Sequence, residues 1–307
     1  MKVYNNVSAQ QVSWIKSNKM KLEKGSCIHN LYYPETMEEF KNLLKNLIAK
    51  NEEIEIIGYS SNTLFLPSYH VENLICTKSL NKWYETDNEI ICECGVNVSI
   101  LSRKMVEKGY VGFEGLTDLP GTIGAAVYGN CGCRGCSVNE LVKSFYMLMP
   151  DGNIAYFTIE DLKLSYRSTV LKRGKLKGVI LEVILNKIPG DKQTLQKTAE
   201  YNHRYRQINQ PSAANNLGTT FISCRKATPK GIIYQAFIKF VSPFIKDGVK
   251  SYSLFLKIMG KKQFVPYTYR LNRYMFLDEK SHILFPQYIN FVKSLFVDAE
   301  LEIEIRK

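Results

Sequence analysis

Two glycine-bearing loops are the parts of this 307-residue chain best suited to hold an anion. The first, Gly58-Tyr59-Ser60-Ser61-Asn62, directly follows the apolar run EIEII at 53–57. The second is LPGTIGAAVYGNCG at 119–132. Glycine has no Cβ, so backbone N–H groups can come within hydrogen-bond reach of an anion. Ser60, Ser61 and Asn62 add hydroxyl and amide donors. Two such loops can clamp a pyrophosphate from both sides. The second loop lies in a stretch, 112–136, that carries seven glycines in 25 residues, far above the average of about 7 %.

The same stretch holds Cys131, Cys133 and Cys136, a CxCxxC cluster. A metal or iron–sulfur centre needs a fourth ligand, and no second cysteine pair or nearby histidine supplies one. The three therefore read as small residues in a glycine-rich loop, and no metal is expected. The sequence contains no GxGxxG and no GxxxxGK[ST], which removes the Rossmann and Walker readings. It also contains no HExxH and no GxSxG, so hydrolase readings lose support. Its four histidines, His29, His70, His203 and His282, are scattered.

The elements that must position these loops can be read from periodicity. Thr36-Met-Glu-Glu39 is a capping box, and Phe40, Leu43, Leu44, Leu47 and Ile48 then recur at helical spacing. Strands are expected at 53–57, 74–76 and 90–94. Asn97 can cap a helix over 98–108 that Gly109 ends. Pro150-Asp151-Gly152 marks a hairpin turn between MLM and IAYF. VILEVIL at 179–185 is a buried strand, and a polar helix spans 192–206 after the Pro189-Gly190-Asp191 break. A helix is expected over 286–296 with Pro286 in its first turn. ELEIEIR at 300–306 alternates as a strand, which puts Glu300, Glu302 and Glu304 on one solvated face.

Composition is that of a globular protein: 45 % apolar and 23 % charged, with a net charge of +12. The excess suits polyanionic ligands, and no nucleic-acid motif accompanies it. No apolar run approaches the ~18 residues of a membrane span. The opening MKVYNN carries no apolar signal-peptide core, so a cytoplasmic protein is expected. Residues 222–307 alone carry a balance of +8. Within them, GIIYQAFIKFVSPFIK at 231–246 is apolar, aromatic and basic. Such a segment can lie on an anionic membrane or serve as a core helix with solvated lysines; the second is the expectation.

GYSSNTLF at 58–65 and GFEGLTDLPGTIGAAVYGNCGCRG at 112–135 resemble the UDP-N-acetylenolpyruvoylglucosamine reductases, the UDP-N-acetylmuramate dehydrogenases of the MurB family. Further matches follow in order. EDLKLSYRSTVLK at 160–172 is similar to the family's tyrosine–arginine segment, NNLGTTF at 215–221 to its Gly-Ser loop, and LEIEI at 301–305 to its terminal Leu-Glu-x-Glu strand. The resemblance is close over about 30–190 and thin from 222 to 300.

The resemblance implies an α+β protein. It would have the FAD-binding fold of the vanillyl-alcohol oxidase and MurB type in two lobes, 30–80 and 81–190, after an N-terminal extension, 1–29. A smaller α+β substrate domain, 191–307, would follow. It implies non-covalent FAD, reduction by NADPH, and hydride transfer to an enolpyruvyl ether on a UDP-sugar in peptidoglycan synthesis. The FAD pyrophosphate would sit on Gly58, Tyr59, Ser60, Ser61 and Asn62 and on Pro120, Gly121, Thr122, Gly124, Ala125 and Ala126. Gly129, Asn130 and Gly132 would approach the isoalloxazine ring. Arg167 matches the arginine that holds the negative charge developing beside the substrate carboxylate. Thr219 matches a serine proton donor, and Glu304 a glutamate that assists at the carboxylate. Tyr166 would position Arg167 and, with Asn216, meet the substrate.

The sequence departs from the family mainly in the substrate half. Phe221-Ile222-Ser223-Cys224 stands where the family continues with lysine and asparagine. Arg134 replaces a tyrosine, Ser60 replaces the second glycine of GxGSN, and 231–246 replaces an alanine- and glycine-rich helix. Two alternatives therefore stand beside the reductase: a relative acting on another nucleotide sugar, and a flavin-binding protein with little turnover.

Overall fold

The computed structural model describes residues 1–15 and 26–307; positions 16–25 of the expected N-terminal extension lie outside the described residues. The chain forms two compact units with interleaved segments. One comprises Met1–Val7, Cys27–Ser60 and His70–Asn209, the other Ser8–Ser26, Ser61–Tyr69 and Gln210–Lys307. Three boundaries differ from the expected ones. Residues 2–7 join the first unit because Lys2–Val7 pairs antiparallel with Cys27–Tyr33. Residues 61–69 leave it for the second unit. The helix after Pro189 stays with the first unit, so the division falls after Asn209.

Two sheets dominate the first unit, beside a short two-stranded hairpin at 132–137. One runs in the order Lys2–Val7, Cys27–Tyr33, His70–Cys76, Ile54–Ile57, with its last two pairings parallel. The other is antiparallel, in the order Ile154–Thr158, Val142–Leu148, Val179–Asn186, Glu89–Glu93, Trp83–Glu85. The two expected lobes share one core: Phe40, Leu43 and Leu44 join the same buried cluster as Ile90, Leu101, Phe145 and Val183.

Local signals account for the helices here. In α1 (Met37–Ala49) the Thr36 hydroxyl accepts the Glu39 N–H at 3.2 Å. The reciprocal half of the box does not form. The Glu39 carboxylate instead takes the Glu35 N–H at 2.9 Å and the N-terminal ammonium at 2.7 Å, a charged donor being the stronger competitor. In α2 (Val98–Lys108) the Asn97 side chain accepts the Ile100 N–H at 3.0 Å, and Gly109 ends the helix at φ +89°. Two short helices, α3 (Ile123–Gly129) and α4 (Val138–Leu141), flank the cysteine hairpin, and α5 spans Lys192–Asn209.

The second unit packs three helices, α6 (Pro229–Val241), α7 (Gly248–Ile258) and α8 (Glu279–Leu295), around an aromatic core. The core includes Tyr252, Phe255, Phe264, Tyr274 and Tyr288. A buried phenol needs a hydrogen-bond partner. Tyr274 donates to the Ser281 carbonyl at 2.7 Å, Tyr288 to the Leu271 carbonyl at 2.5 Å, and the Tyr252 and Tyr288 hydroxyls meet at 3.0 Å.

Three expectations for this unit are corrected. The α8 helix begins at Glu279 because Asp278 caps it, accepting the Ser281 N–H at 2.9 Å; Pro286 is therefore interior and not in the first turn. The terminal strand is only Glu304–Arg306, parallel to Thr63–Phe65. Residues 300–302 bond instead to 220–222: Ile222 N–H to the Glu300 carbonyl at 2.8 Å and Glu302 N–H to the Thr220 carbonyl at 2.9 Å. Glu302 and Glu304 are half-buried, so the acidic face is not simply solvated. Finally, 231–246 is not a core helix on all sides. Tyr234, Phe237 and Val241 turn inward, while Ile232, Ile233 and Phe240 are exposed.

The Asn97 cap is a single side chain holding one orphan helix amide. Asn97→Ala should lower unfolding free energy by about 1 kcal/mol, within a range of roughly 0.5–2. Urea denaturation measures this, and an unchanged midpoint would remove the cap from the account.

Candidate functional site

The two glycine loops meet. A Cβ on Gly58 would collide with the Thr122 hydroxyl and methyl. A Cβ on Gly124 would stand 3.0 Å from the Cys94 Cβ and 3.1 Å from its carbonyl oxygen. These glycines are therefore required by close packing.

The first amides of α3 are taken up within the protein. Ile123 N–H bonds to the Val96 carbonyl and Gly124 N–H to the Cys94 carbonyl, both at 2.8 Å. The Thr122 hydroxyl caps Ala125 N–H at 3.4 Å. The 119–126 segment is thus not a helix-end anion site of the usual kind. Its Thr122 instead packs against Gly58, at the start of the first loop. Ser60, which stands where the resemblance expects glycine, is buried and left-handed at φ +53°, a conformation that costs a non-glycine residue about 1–2 kcal/mol.

Beyond α3 the chain turns at Asn130, φ +49°, into a hairpin pairing Gly132–Cys133 with Cys136–Ser137. Arg134 and Gly135 make its turn with φ +54° and +79°, the sign pattern of a type I′ turn. The Arg134 guanidinium stacks 3.9 Å from the Tyr205 ring of α5. Gly115 packs so closely on the hairpin that a Cβ would stand 2.5 Å from the Cys133 carbonyl oxygen. Burial, with Glu114 nearby, pushes the Cys136 thiol up to about 11. All eight cysteines are free thiols. Among the described residues no group of three or more His, Cys, Asp or Glu is arranged to hold a metal ion.

Arg167 is brought onto this loop. Ser165 and Ser168 exchange two backbone hydrogen bonds of 3.0 Å, and in the turn between them Arg167 adopts φ +55°. Its Nη2 donates to the Gly132 carbonyl at 2.6 Å and its Nη1 to the Asn130 carbonyl at 3.3 Å. Asn130 in turn donates to the Ser165 carbonyl at 2.8 Å and accepts from Ser137 and from Asn139. Tyr166, 67 % exposed, has its ring 5.3 Å from the Arg167 guanidinium. The structure thus gathers Asn130, Gly132, Tyr166 and Arg167 in the first unit.

The remaining predicted residues lie in the second unit. Asn62 donates to the Glu302 carbonyl and accepts from the Glu304 N–H through its own carbonyl, both at 2.9 Å. The first loop is thereby tied directly to the Glu304 strand. The Thr219 segment reaches the same strand through Thr220, whose carbonyl accepts the Glu302 N–H. Thr219 follows Gly218, at φ +85°, and is half-buried. Asn216 is buried, and its amide is engaged within the loop: it donates to the Ser212 carbonyl and accepts from Gly218 N–H and Arg273. Its observed role is to shape the Thr219 turn. Just beyond, Ser223 donates to Asp298 at 2.6 Å, and the amides of Arg225 and Lys226 point to the same carboxylate.

Asp118 is a positioning residue that the sequence reading did not single out. It accepts from Arg103 and pairs with His203, both at 2.9 Å, while Arg206 holds its carbonyl. These contacts tie α2 and α5 to the entry of the second loop. Burial would raise the Asp118 carboxyl, but hydrogen bonds from His203 and Arg103 outweigh it, and it sits below the usual carboxylate range. A depressed folded-state pKa stabilises above the unfolded value near ~4 and is lost as pH falls through the folded one. Asp118→Asn should therefore destabilise at pH 7, and the gap to the parent should narrow as pH falls below ~4. Urea melts at the two pH values check this; a gap independent of pH would refute it.

The chain is similar to several known proteins. The model of the FAD binding domain family matches residues 29–158. The UDP-N-acetylenolpyruvoylglucosamine reductase of Alkaliphilus oremlandii is 29 % identical over 192 residues, 61 % of this chain and 62 % of that protein. That of Carboxydothermus hydrogenoformans is 29 % identical over 210 residues, 68 % of this chain and 67 % of the relative. The chain spans about 62 % of the length of the first of these relatives. The crystal structure of UDP-N-acetylenolpyruvylglucosamine reductase (MurB) from Thermus caldophilus superposes with a TM-score of 0.70 at 19 % identity, covering 100 % of both chains. The fold is thus the α+β fold of that protein, and in sequence the chain is similar to the UDP-N-acetylenolpyruvoylglucosamine reductases.

Proposed function

We propose that the protein is a cytoplasmic, FAD-dependent, NADPH-using oxidoreductase that reduces UDP-N-acetylglucosamine enolpyruvate to UDP-N-acetylmuramate in peptidoglycan synthesis. The observation that carries this is Arg167, a guanidinium clamped to the carbonyls of Asn130 and Gly132 in the second glycine loop. The residues fit the cofactor in their chemistry. Ser60, Ser61 and the peptide from Gly58 to Asn62 offer hydroxyl and amide donors for a pyrophosphate. Thr122 packs against Gly58, and Pro120, Gly121 and Thr122, with Gly124, Ala125 and Ala126 at the start of α3, would form the second side of the pyrophosphate site. Gly129, Asn130 and Gly132, the two glycines without side chains of their own, would stand against the isoalloxazine ring. When bound, FAD would relay hydride from NADPH to the methylene carbon of the enolpyruvyl group.

The chain's own residues supply the rest. Negative charge grows on the carbon next to the one that receives hydride and spreads into the carboxylate. Arg167, fixed by two carbonyl acceptors, would hold that charge without reorganising. The Thr219 hydroxyl would deliver the proton to carbon. Its methyl restricts the rotamer, and the left-handed Gly218 sets the direction of approach. Glu304, held at its backbone by Asn62, would orient the carboxylate. Tyr166 would flank Arg167 at the substrate. Asn216 would contribute by holding the Thr219 turn.

A second reading rests on the loop after Thr219. In place of the family's lysine and asparagine, Ser223 and two amides turn toward Asp298. This supports a different nucleotide sugar handled by the same flavin chemistry. A screen of sugar nucleotides as oxidants of the reduced protein separates the readings: turnover of the enolpyruvyl substrate alone would remove the second.

Reconstitution with FAD should give a flavin absorption band, NADPH should bleach it, and UDP-N-acetylglucosamine enolpyruvate should restore it. Reduction without reoxidation would overturn the proposed reaction while leaving the cofactor in place. Arg167→Met should slow reoxidation by about 10²–10³-fold while changing reduction by NADPH far less; equal loss in both half-reactions would give Arg167 a cofactor role instead. Thr219→Ser should reoxidise at least as fast as the parent in stopped-flow traces, and a large loss would reject Thr219 as the proton donor.

A further inference from the structure

The α6 helix is bound on one side and bare on the other. Its inner face is fixed. Gly231 lets the backbone approach the Leu295 carbonyl where any Cβ would collide. Tyr234 packs against Tyr252, Phe255 and Phe296, and Phe237 packs against Phe255. Its outer face carries Ile232, Ile233 and Phe240 at 59 %, 60 % and 72 % exposure, followed by Phe244 at 78 % just past the helix end. The Phe240 and Phe244 rings lie 5.9 Å apart. Scattered exposed apolar side chains are ordinary; four large ones on one helix face and its exit turn are not.

The charge of the sequence that holds this helix is equally uneven. Residues 225–262 contain nine basic side chains and one acid, Asp247. That +8 is the whole excess of the C-terminal third. The one acid is engaged, its carboxylate accepting the Val249 and Lys250 amides as the cap of α7. Eight of the nine cations are lysines, with Lys230, Lys239 and Lys246 on or directly after α6.

We infer that the outer face of α6, with Phe244, docks the protein on an anionic lipid surface. Ile232, Ile233, Phe240 and Phe244 would enter the boundary of headgroups and acyl chains, and the lysines would pair with phosphate. An apolar helix face flanked by long-stemmed lysines is the pattern of helices that lie in the plane of a membrane interface. Among the described residues no helix is long and apolar enough to cross a membrane, so the contact is peripheral. The charge argues against the other occupants. A second copy on this face would oppose two surfaces of +8. Nucleic acid would match the charge, but it has no use for two exposed isoleucines, and only Arg225 among the nine cations can make bidentate phosphate contacts. The inference stands apart from the proposed reaction and holds whether or not that reaction is correct.

Co-sedimentation of the full chain with vesicles tests it. Protein should pellet with phosphatidylcholine vesicles containing about one third phosphatidylglycerol, and far less with phosphatidylcholine alone. Raising salt from about 0.1 to 0.5 M should release part of the bound fraction. The doubles Phe240→Ser/Phe244→Ser and Lys239→Glu/Lys246→Glu should each lower partitioning at least tenfold. Both change exposed side chains, and an unchanged near-ultraviolet circular dichroism spectrum checks the fold. Independently, the emission added by Phe240→Trp should shift to the blue with anionic vesicles and be quenched by brominated acyl chains. No pelleting with anionic vesicles, or partitioning by both doubles equal to the parent, would overturn the inference. So would a concentration-dependent dimer abolished by Phe240→Ser/Phe244→Ser, which would make the occupant a second copy. Oligonucleotide binding lost in the lysine double but kept in the phenylalanine double, with no vesicle binding, would assign the face to nucleic acid.

Discussion

The arrangement of the second glycine loop depends on the grip of Arg167 on two backbone carbonyls. Three residues around it, Asn130, Arg134 and Arg167, adopt left-handed conformations without being glycine. Each is costly by about 1–2 kcal/mol and persists only where surrounding contacts overdetermine it. Here the contacts are charge-assisted bonds from the guanidinium to Asn130 and Gly132, the Asn130 amide to Ser165, and the Arg134–Tyr205 stack. The strain and the network sit in the same few residues. That fixes a guanidinium against the backbone of the second glycine loop.

Much of the first unit was legible from local pattern. The Asn97 cap, the Gly109 stop, the hairpin at 150–152 and the buried strand at 179–185 each follow from residues close in sequence. The gathering of Arg167 with the glycine loop was expected only through family resemblance, since 35 residues of chain separate Arg167 from Gly132 and no periodicity links them. What stayed hidden depends on competition between distant partners. Glu39 satisfied half a capping box because the N-terminal ammonium offered a stronger donor. The alternating acids at 300–306 divided between two neighbours, which alternation alone cannot reveal. Asn216, expected at the substrate through the resemblance, is buried and takes a hydrogen bond from Arg273, 57 residues away, which no local pattern announces.

Charge shows the same division. The net +12 of the chain first suggests a polyanionic ligand in general. Most of it falls in residues 225–262 of the second unit, the stretch that also carries the exposed apolar face of α6. In the second unit the departures from the family are themselves organised. Ser223 and the amides of Arg225 and Lys226 converge on Asp298, and the aromatic core satisfies its phenols.

The interleaving of the two units has a consequence for how the protein is made. The backbone crosses from one unit to the other five times, and Thr63–Phe65 pairs with Glu304–Arg306. During synthesis the early strand must wait for this partner until residues 304–306 have left the ribosome. Such a pairing closes a loop of some 240 residues, which slows folding and prolongs exposure of an open strand edge. Residues 304–306 thus supply the partner of the early strand, and a chain truncated before them would lack this two-stranded ladder.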